Sequence, residues 1–309
     1  MKRTPNMPSP LMLGTVFFVG VLAVSSAAIF VRMANSAAGG SSPGLSLVFA
    51  TTRLAFASLF LIPVWRKVVV VRVKPQVYVF AILAGVFLGI HFAGYVASLG
   101  YTSIAASATL VNTNPVWLAL LAWLWLGKRP SRLSVLGIVL AVSGGVLIAL
   151  SGASGAQPGA NPLLGNLLAL MGAFGFTFYL LLGSEAQRRG LAITPYIVIA
   201  YSVGALSLAV FPPLFGTSYF DVPLAFYGFA LVTALLPQLV GHTAFNWTSR
   251  FLSPALVSLV ILFEPLVASL LGYLIFSEVP GRLTFIGAPV LLMGVAAAIL
   301  GERQSVNQR

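Results

Sequence analysis

Apolar runs of about twenty residues recur along the chain, separated by short gaps of glycine, serine, proline and basic residues. A bilayer core is crossed by roughly 20 apolar residues of helix. The pattern therefore predicts ten spans, at 11–33, 44–65, 76–97, 102–126, 132–151, 162–184, 193–214, 224–248, 254–276 and 281–301. The gaps leave no room for a soluble domain. The expected fold is all-α and integral to the membrane, with the run after Lys2 and Arg3 read as an uncleaved first span.

A few polar positions interrupt the runs and mark candidate chemistry. The stretch LFEPLVASLLGYLIFSE puts Glu264 and Pro265 inside an apolar run, and Asn114 and Pro115 stand in the same way in the fourth run. Proline lacks the amide that would bond one turn back and clashes with that carbonyl, so a helix break is expected at both places. Such breaks persist in a bilayer only where protein or a wet cavity satisfies the freed groups. Glu264 is read as an acceptor for a proton or a substrate charge, or else as a buried carboxylate that holds helices together. Arg53, at a similar depth in the second span, is either the charge partner of Glu264, directly or through water, or a side chain that snorkels or bonds helix-end carbonyls.

Gln238, His242, Asn246 and Arg250 are spaced by four, which aligns them on one slowly turning face that has to point inward or to water, where Gln238 and His242 above all either line a solute path or hydrogen-bond between helices. His91 and Tyr95 have the same spacing in the third span. His91 and His242 are the two histidines of the chain, and they either relay a proton or bind a carboxylate, or serve as packing residues. Trp117 is expected on a face similar to that of Asn114, and Phe174, Phe178 and Tyr179 on one side of the sixth span. Such rings stack on a flat or cationic solute, or simply pack. Gly85 with Gly89, and Gly172 with Gly175, permit close helix approach.

Laying Pro115 on Pro265 aligns SIAASATLVNTNPVWLALLAWLWLGKRPSRLSVLGIVLAVSGG with SPALVSLVILFEPLVASLLGYLIFSEVPGRLTFIGAPVLLMGV without a gap. Gly137 then meets Gly287, and Gly144 meets Gly294. Each half holds five spans, and an odd number inverts the second half. The expected architecture is two inverted five-helix repeats, at 11–151 and 162–301, as in transporters that alternate access around a midplane site.

Charge changes the picture by its placement. Seventeen Lys and Arg against five Asp and Glu give +12, yet the basic residues fall in alternate gaps. One set holds Arg66, Lys67, Arg72 and Lys74, then Lys128, Arg129 and Arg132, then Arg188 and Arg189, then Arg250, and both termini add to it. This is the positive-inside pattern, with both termini cytoplasmic, rather than a nucleic-acid surface. Only 7% of residues are charged, far below the roughly one quarter of a soluble domain. Without cysteine there is no thiolate chemistry.

The stretch GHTAFNWTSRFLSPALVSLVILFEPLVASLLGYLIFSE, preceded by ALLPQLVGH, and its counterpart LGYTSIAASATLVNTNPVWLALLAWLWLGKRPS resemble the EamA-type repeats of the drug/metabolite transporter superfamily. The likeness covers nearly the whole chain. It departs from the family at Lys128, where an acidic residue usually follows the glycine; Glu278 keeps the acid in the second half. The resemblance implies a ten-helix exporter or facilitator of small metabolites, amino acids or drugs.

No GxxxxGK[ST] loop is present, so energy is expected from a proton gradient or from the solute's own gradient. A membrane enzyme would need a catalytic constellation that five acids and two histidines scarcely supply. A non-transporting scaffold leaves the inverted repeat unexplained. The expected partners are a small-molecule substrate, the lipid bilayer and, if transport is coupled, protons. No cofactor, metal or nucleic acid is expected; the chain is a monomer or homodimer, placed in a bacterial inner membrane.

Overall fold

The computed structural model describes residues 8–65, 73–126, 131–150, 161–249, 251–252, 257, 261 and 263–307. Lys2, Arg3, Arg66, Lys67, Arg72, Lys128, Arg129, Arg250 and Arg309, which carry much of the charge argument, lie outside the described residues. Among those described there are helices and no strand.

Capping chemistry starts many of the helices. Ser9 accepts from the Met12 amide and Pro10 opens α1 (Pro10–Ser25). Ser42 caps α3 (Pro43–Phe60) and Asn161 caps α8 (Pro162–Arg188), again with proline in the first turn. Proline is tolerated there because the first amides of a helix have no internal partner. A proline also opens α4 (Pro75–Ser98).

The first span is longer than 11–33 and bends. It continues through α2 (Ala27–Ala37) after a turn at Ser26. Ser25 and Ser26 bond back to the carbonyls of Val21 and Ala23, both at 2.7 Å. Serine hydroxyls that bond the preceding turn bend helices.

The expected fourth span is two helices, α5 (Ile104–Val111) and α6 (Asn114–Leu126). The break falls at Asn112 and Thr113, so Asn114 and Pro115 open a new helix rather than kink an old one. Glu264 and Pro265 likewise open α13 (Glu264–Phe276). Residues 253–256, 258–260 and 262, just before it, lie outside the described residues.

The eighth span is not one α-helix. It runs from α11 (Leu224–Thr233) through a π-helical stretch, Ala234–His242, into α12 (Thr243–Thr248). Pro237 lies inside the π stretch, where widened backbone bonding accommodates its missing amide.

The remaining helices are α7 (Arg132–Leu150), α9 (Ile193–Ala209), the short α10 (Phe211–Leu214) and α14 (Arg282–Asn307). Among the described residues, six stretches are long and apolar enough to cross a membrane: Pro10–Ala37, Pro43–Phe60, Pro75–Ser98, Pro162–Arg188, Ile193–Leu214 and Leu224–Thr248. Three shorter apolar helices accompany them, Arg132–Ile148, Glu264–Phe276 and Arg282–Ala298.

Glycines set the closest helix pairs. α4 is held between two neighbours: Gly85 and Gly89 face α9, while Gly172 and Gly175 of α8 face the backbone around His91. A Cβ on Gly175 would lie 2.8 Å from the His91 nitrogen. That approach fixes where His91 sits.

Candidate functional site

A cavity of about 20 Å³ lies in the interior between α1–α5 and the later helices α8, α12 and α13. Its polar wall is made by Arg53, His91, Tyr95, Asn112, His242 and Glu264. The rings of Phe92, Phe176 and Phe245 complete it.

Each polar group reaches the cavity for a local reason. Arg53 is fully buried in α3. Its Nη2 donates to Gln238 Oε1 at 3.0 Å, and its guanidinium lies 3.9 Å over the Phe92 ring. Lipid offers a cation nothing, so an acceptor and a ring face are the substitutes for water. His91 Nδ1 is 2.9 Å from the Gly172 carbonyl, which makes that nitrogen the donor. The His91 and His242 rings are 6.0 Å apart. Glu264 stands in the first turn of α13, where the helix dipole favours an acid. Asn112 lines the same cavity, and its side-chain amide donates to the Ala108 carbonyl at 2.8 Å.

The residues singled out from the sequence go to three places. Arg53, His91, Tyr95, His242 and Glu264 line the cavity, with Gln238 directly behind Arg53. Asn246 bonds the Tyr179 hydroxyl at 2.6 Å, and the Tyr179 ring stacks with Tyr196, beside the cavity rather than in its wall. Gln238, His242 and Asn246 are all buried, so their face of the eighth span points inward.

Trp117, Phe174 and Phe178 lie elsewhere. They form a run of rings with Phe87, at 5.6, 4.9 and 4.5 Å. Trp117 also borders an apolar pocket of about 310 Å³ among α5–α8 and α14. Phe174, Phe178 and Tyr179 do not share one side: Phe174 is 36% exposed and Tyr179 1%. Five residues is about 140° around a helix, which turns Tyr179 inward. Asn114 is buried outside the cavity wall, and its carbonyl accepts from Thr177 at 3.4 Å.

Of the expected pairing of Arg53 with Glu264, directly or through water, the direct ion pair is not made among the described residues, where Arg53 bonds Gln238 and lies over Phe92, but both charges line the same cavity. The charge partner that forms is a different one. Arg32 Nη1 is 3.4 Å from Glu278 Oε2, and both side chains are at most 10% exposed. Arg32 also donates to the Thr102 carbonyl at 2.7 Å, and Glu278 accepts from the Ile104 amide at 2.6 Å. Ser277, at φ 54°, is the described non-glycine residue with left-handed backbone, and that turn at the end of α13 brings Glu278 inward. The cluster ties α2, the α4–α5 connection and the α13–α14 connection together at one end of the molecule.

Sequence reasoning missed Asn112, the three phenylalanines and Arg32. Asn112 had a signal, since Asn112–Pro115 is a polar run within an apolar one. The phenylalanines had none among 22. Arg32 stood at a span end, where a basic residue reads as a snorkelling one.

A buried polar cavity walled by helices from both halves of the chain, with Glu264-Pro265 opening one of them, is the kind of site that membrane carriers build. Comparison with known proteins agrees. The family model described as "EamA-like transporter family" matches residues 11–150 and again 163–300. The uncharacterized transporter YdfC of Bacillus subtilis (strain 168) is 23% identical over 216 residues, 69% of this chain and 69% of its own. A probable terminal-alkyne amino-acid exporter of Streptantibioticus cattleyicolor is 25% identical over 66% of this chain and 65% of its own. A crystal structure 21% identical to this chain superposes with a TM-score of 0.60, over 96% of this chain and 99% of that one, and shares its fold. With both halves matched by one family model and a buried polar cavity lined from both of them, the chain belongs to the EamA-like transporter family.

Proposed function

We propose that the protein is a secondary transporter that exports a small organic solute, of the amino-acid or drug-like kind, by alternating access through the central cavity. Ten helices in two inverted repeats, 11–151 and 162–301, would rock about that cavity in a bacterial inner membrane, with both termini in the cytoplasm. The observation that carries the reading is the placement of Arg53 and Glu264, buried charges from opposite halves, on the wall of one interior cavity. Intramembrane charges are costly and are kept where solutes or ions pass. The Arg32–Glu278 cluster supports closure on the external face, the end at which Ala37, Tyr101 and Ser277 lie. The relative named as an amino-acid exporter supports the solute class.

Proteoliposomes containing a pH dye test the reading, with a panel of amino acids and cationic drugs and with wild type beside Glu264→Gln. We expect a solute whose flux moves protons in wild type and moves none in Glu264→Gln. Flux without proton movement, unchanged by the substitution, makes the protein an uncoupled facilitator. No flux of any solute removes the transport reading.

A further inference from the structure

We propose that Arg53, with Tyr95, Gln238 and His242, forms a carboxylate-binding subsite in the cavity, so that the transported solute carries a carboxylate. The proposal rests on the transport reading above.

Arg53 is 0% exposed and commits one donor, to Gln238. Its Nε and Nη1 are buried and have no partner among the described residues. The same holds for Tyr95 Oη, Gln238 Nε2 and His242 Nδ1. Arg53, Tyr95 and His242 share the cavity wall, and Gln238 touches Arg53. Guanidinium and amide nitrogens are donors only, a hydroxyl can donate, and an imidazole nitrogen can do either. Buried donors left unanswered are expensive, most of all on a cation. Their natural complement is a planar anion with two acceptor oxygens, which a guanidinium grips through two parallel bonds.

The protein's own carboxylate does not fill this role, since Glu264 makes no direct ion pair with Arg53 among the described residues and leaves its Nε and Nη1 unanswered. Glu264 serves better as the opposing charge. A solute with a carboxylate at Arg53 and an ammonium group toward Glu264 meets both charges with the correct sign. A purely cationic solute meets the Arg53 charge unanswered. Phosphate shares the acceptor chemistry, but its higher charge sits poorly beside Glu264.

Counterflow of radiolabelled L-amino acids into proteoliposomes tests this. Competitors are the matched amines that lack the carboxylate, the matched carboxylic acids, inorganic phosphate and ethidium. For the amino acid carried best, we expect its amine to compete about a hundredfold more weakly. Arg53→Lys keeps the charge and loses the fork, so its half-saturating concentration should rise about tenfold with the maximal rate less affected. The wild-type competition series stands even if Arg53 variants fail to fold. Amines competing as well as amino acids overturn the subsite while leaving transport intact. Phosphate competing as well as carboxylic acids overturns the carboxylate assignment. Ethidium flux with no amino-acid flux also overturns it, and no flux at all removes the transport reading with it.

Discussion

Glu278→Ala is expected to open the cavity to the face on which Ala37, Tyr101 and Ser277 lie. Glu278 answers two groups at once, the Arg32 guanidinium and the Ile104 amide at the start of α5. Removing it leaves Arg32 buried with only the Thr102 carbonyl. Breaking a buried pair by deleting one partner costs about 3–5 kcal/mol, because the other charge is stranded. A conformation that exposes Arg32 to water avoids that cost, so the balance between closed and open forms should move toward open by about a hundredfold or more. The intact pair, by contrast, contributes little net stability. Burial pushes the Glu278 carboxyl up from its ordinary value, against the opposing pull of Arg32 and of the Ile104 amide. On the proposed alternating-access reading, the cluster would close this end without locking it, as a gate that opens in each cycle requires.

The chain has no cysteine, so Ala27→Cys in the cavity wall supplies a single thiol. Labelling it with a membrane-impermeant maleimide from that face should be at least tenfold faster in Glu278→Ala than in the Ala27→Cys parent. The double change Arg32→Met with Glu278→Leu removes both charges and should restore slow labelling, since apolar replacements of buried ion pairs are close to neutral. Equal labelling of parent and Glu278→Ala would sink the gate, and fast labelling of the double variant would show that packing rather than charge closes this end.

Charge and polarity were legible in the sequence wherever the background was apolar. Arg53, His91, His242 and Glu264 stood out for that reason, and the structure brings all four to one cavity. Partners were less legible. Depth brought Arg53 and Glu264 to one cavity wall, but depth does not say which atoms a long side chain touches, and the direct bond of Arg53 goes to Gln238. The repeat alignment drew attention to Asn114 because it matches Glu264. The residue that shares the cavity wall with Glu264 is Asn112, because the helix ends there and α6 begins afresh at Asn114. The π stretch was hidden for a similar reason: a spacing of four looks α-helical until Pro237 is given a backbone that tolerates it. Ring positions were the least legible, since with 22 phenylalanines most helix faces carry one.

The largest effect on stability is expected from Gly144→Leu. The alignment of the two halves equates Gly137 with Gly287 and Gly144 with Gly294, but equivalence is not contact. In the structure α7 and α14 cross antiparallel, so Gly137 meets Gly294 and Gly144 meets Gly287. A Cβ on Gly137 would lie 2.6 Å from the Gly294 oxygen, and one on Gly294 2.7 Å from the Gly137 oxygen. The other pair gives 2.6 and 2.7 Å in the same way. These neighbours are backbone, which cannot swing aside. Helices in lipid gain nothing from burying apolar area against each other, so association depends on this close packing. An added methyl at Gly144 should cost about 1–3 kcal/mol, less the roughly 1 kcal/mol by which alanine favours a helix over glycine. Leucine needs the helices several ångströms apart, and Gly144→Leu should fail to yield a monodisperse protein in detergent. Gly145, one residue on, has its nearest neighbour at 3.7 Å, so Gly145→Ala should melt at or slightly above the wild-type temperature. Thermal unfolding with size-exclusion chromatography compares the three, and a Gly144→Leu protein as stable as Gly145→Ala would remove the seam from the account. Because no side chains separate the two backbones, the seam has no slack along its normal. Any motion between the halves has to slide or rotate about α7 and α14, with the larger displacement at the cavity and the Arg32–Glu278 end.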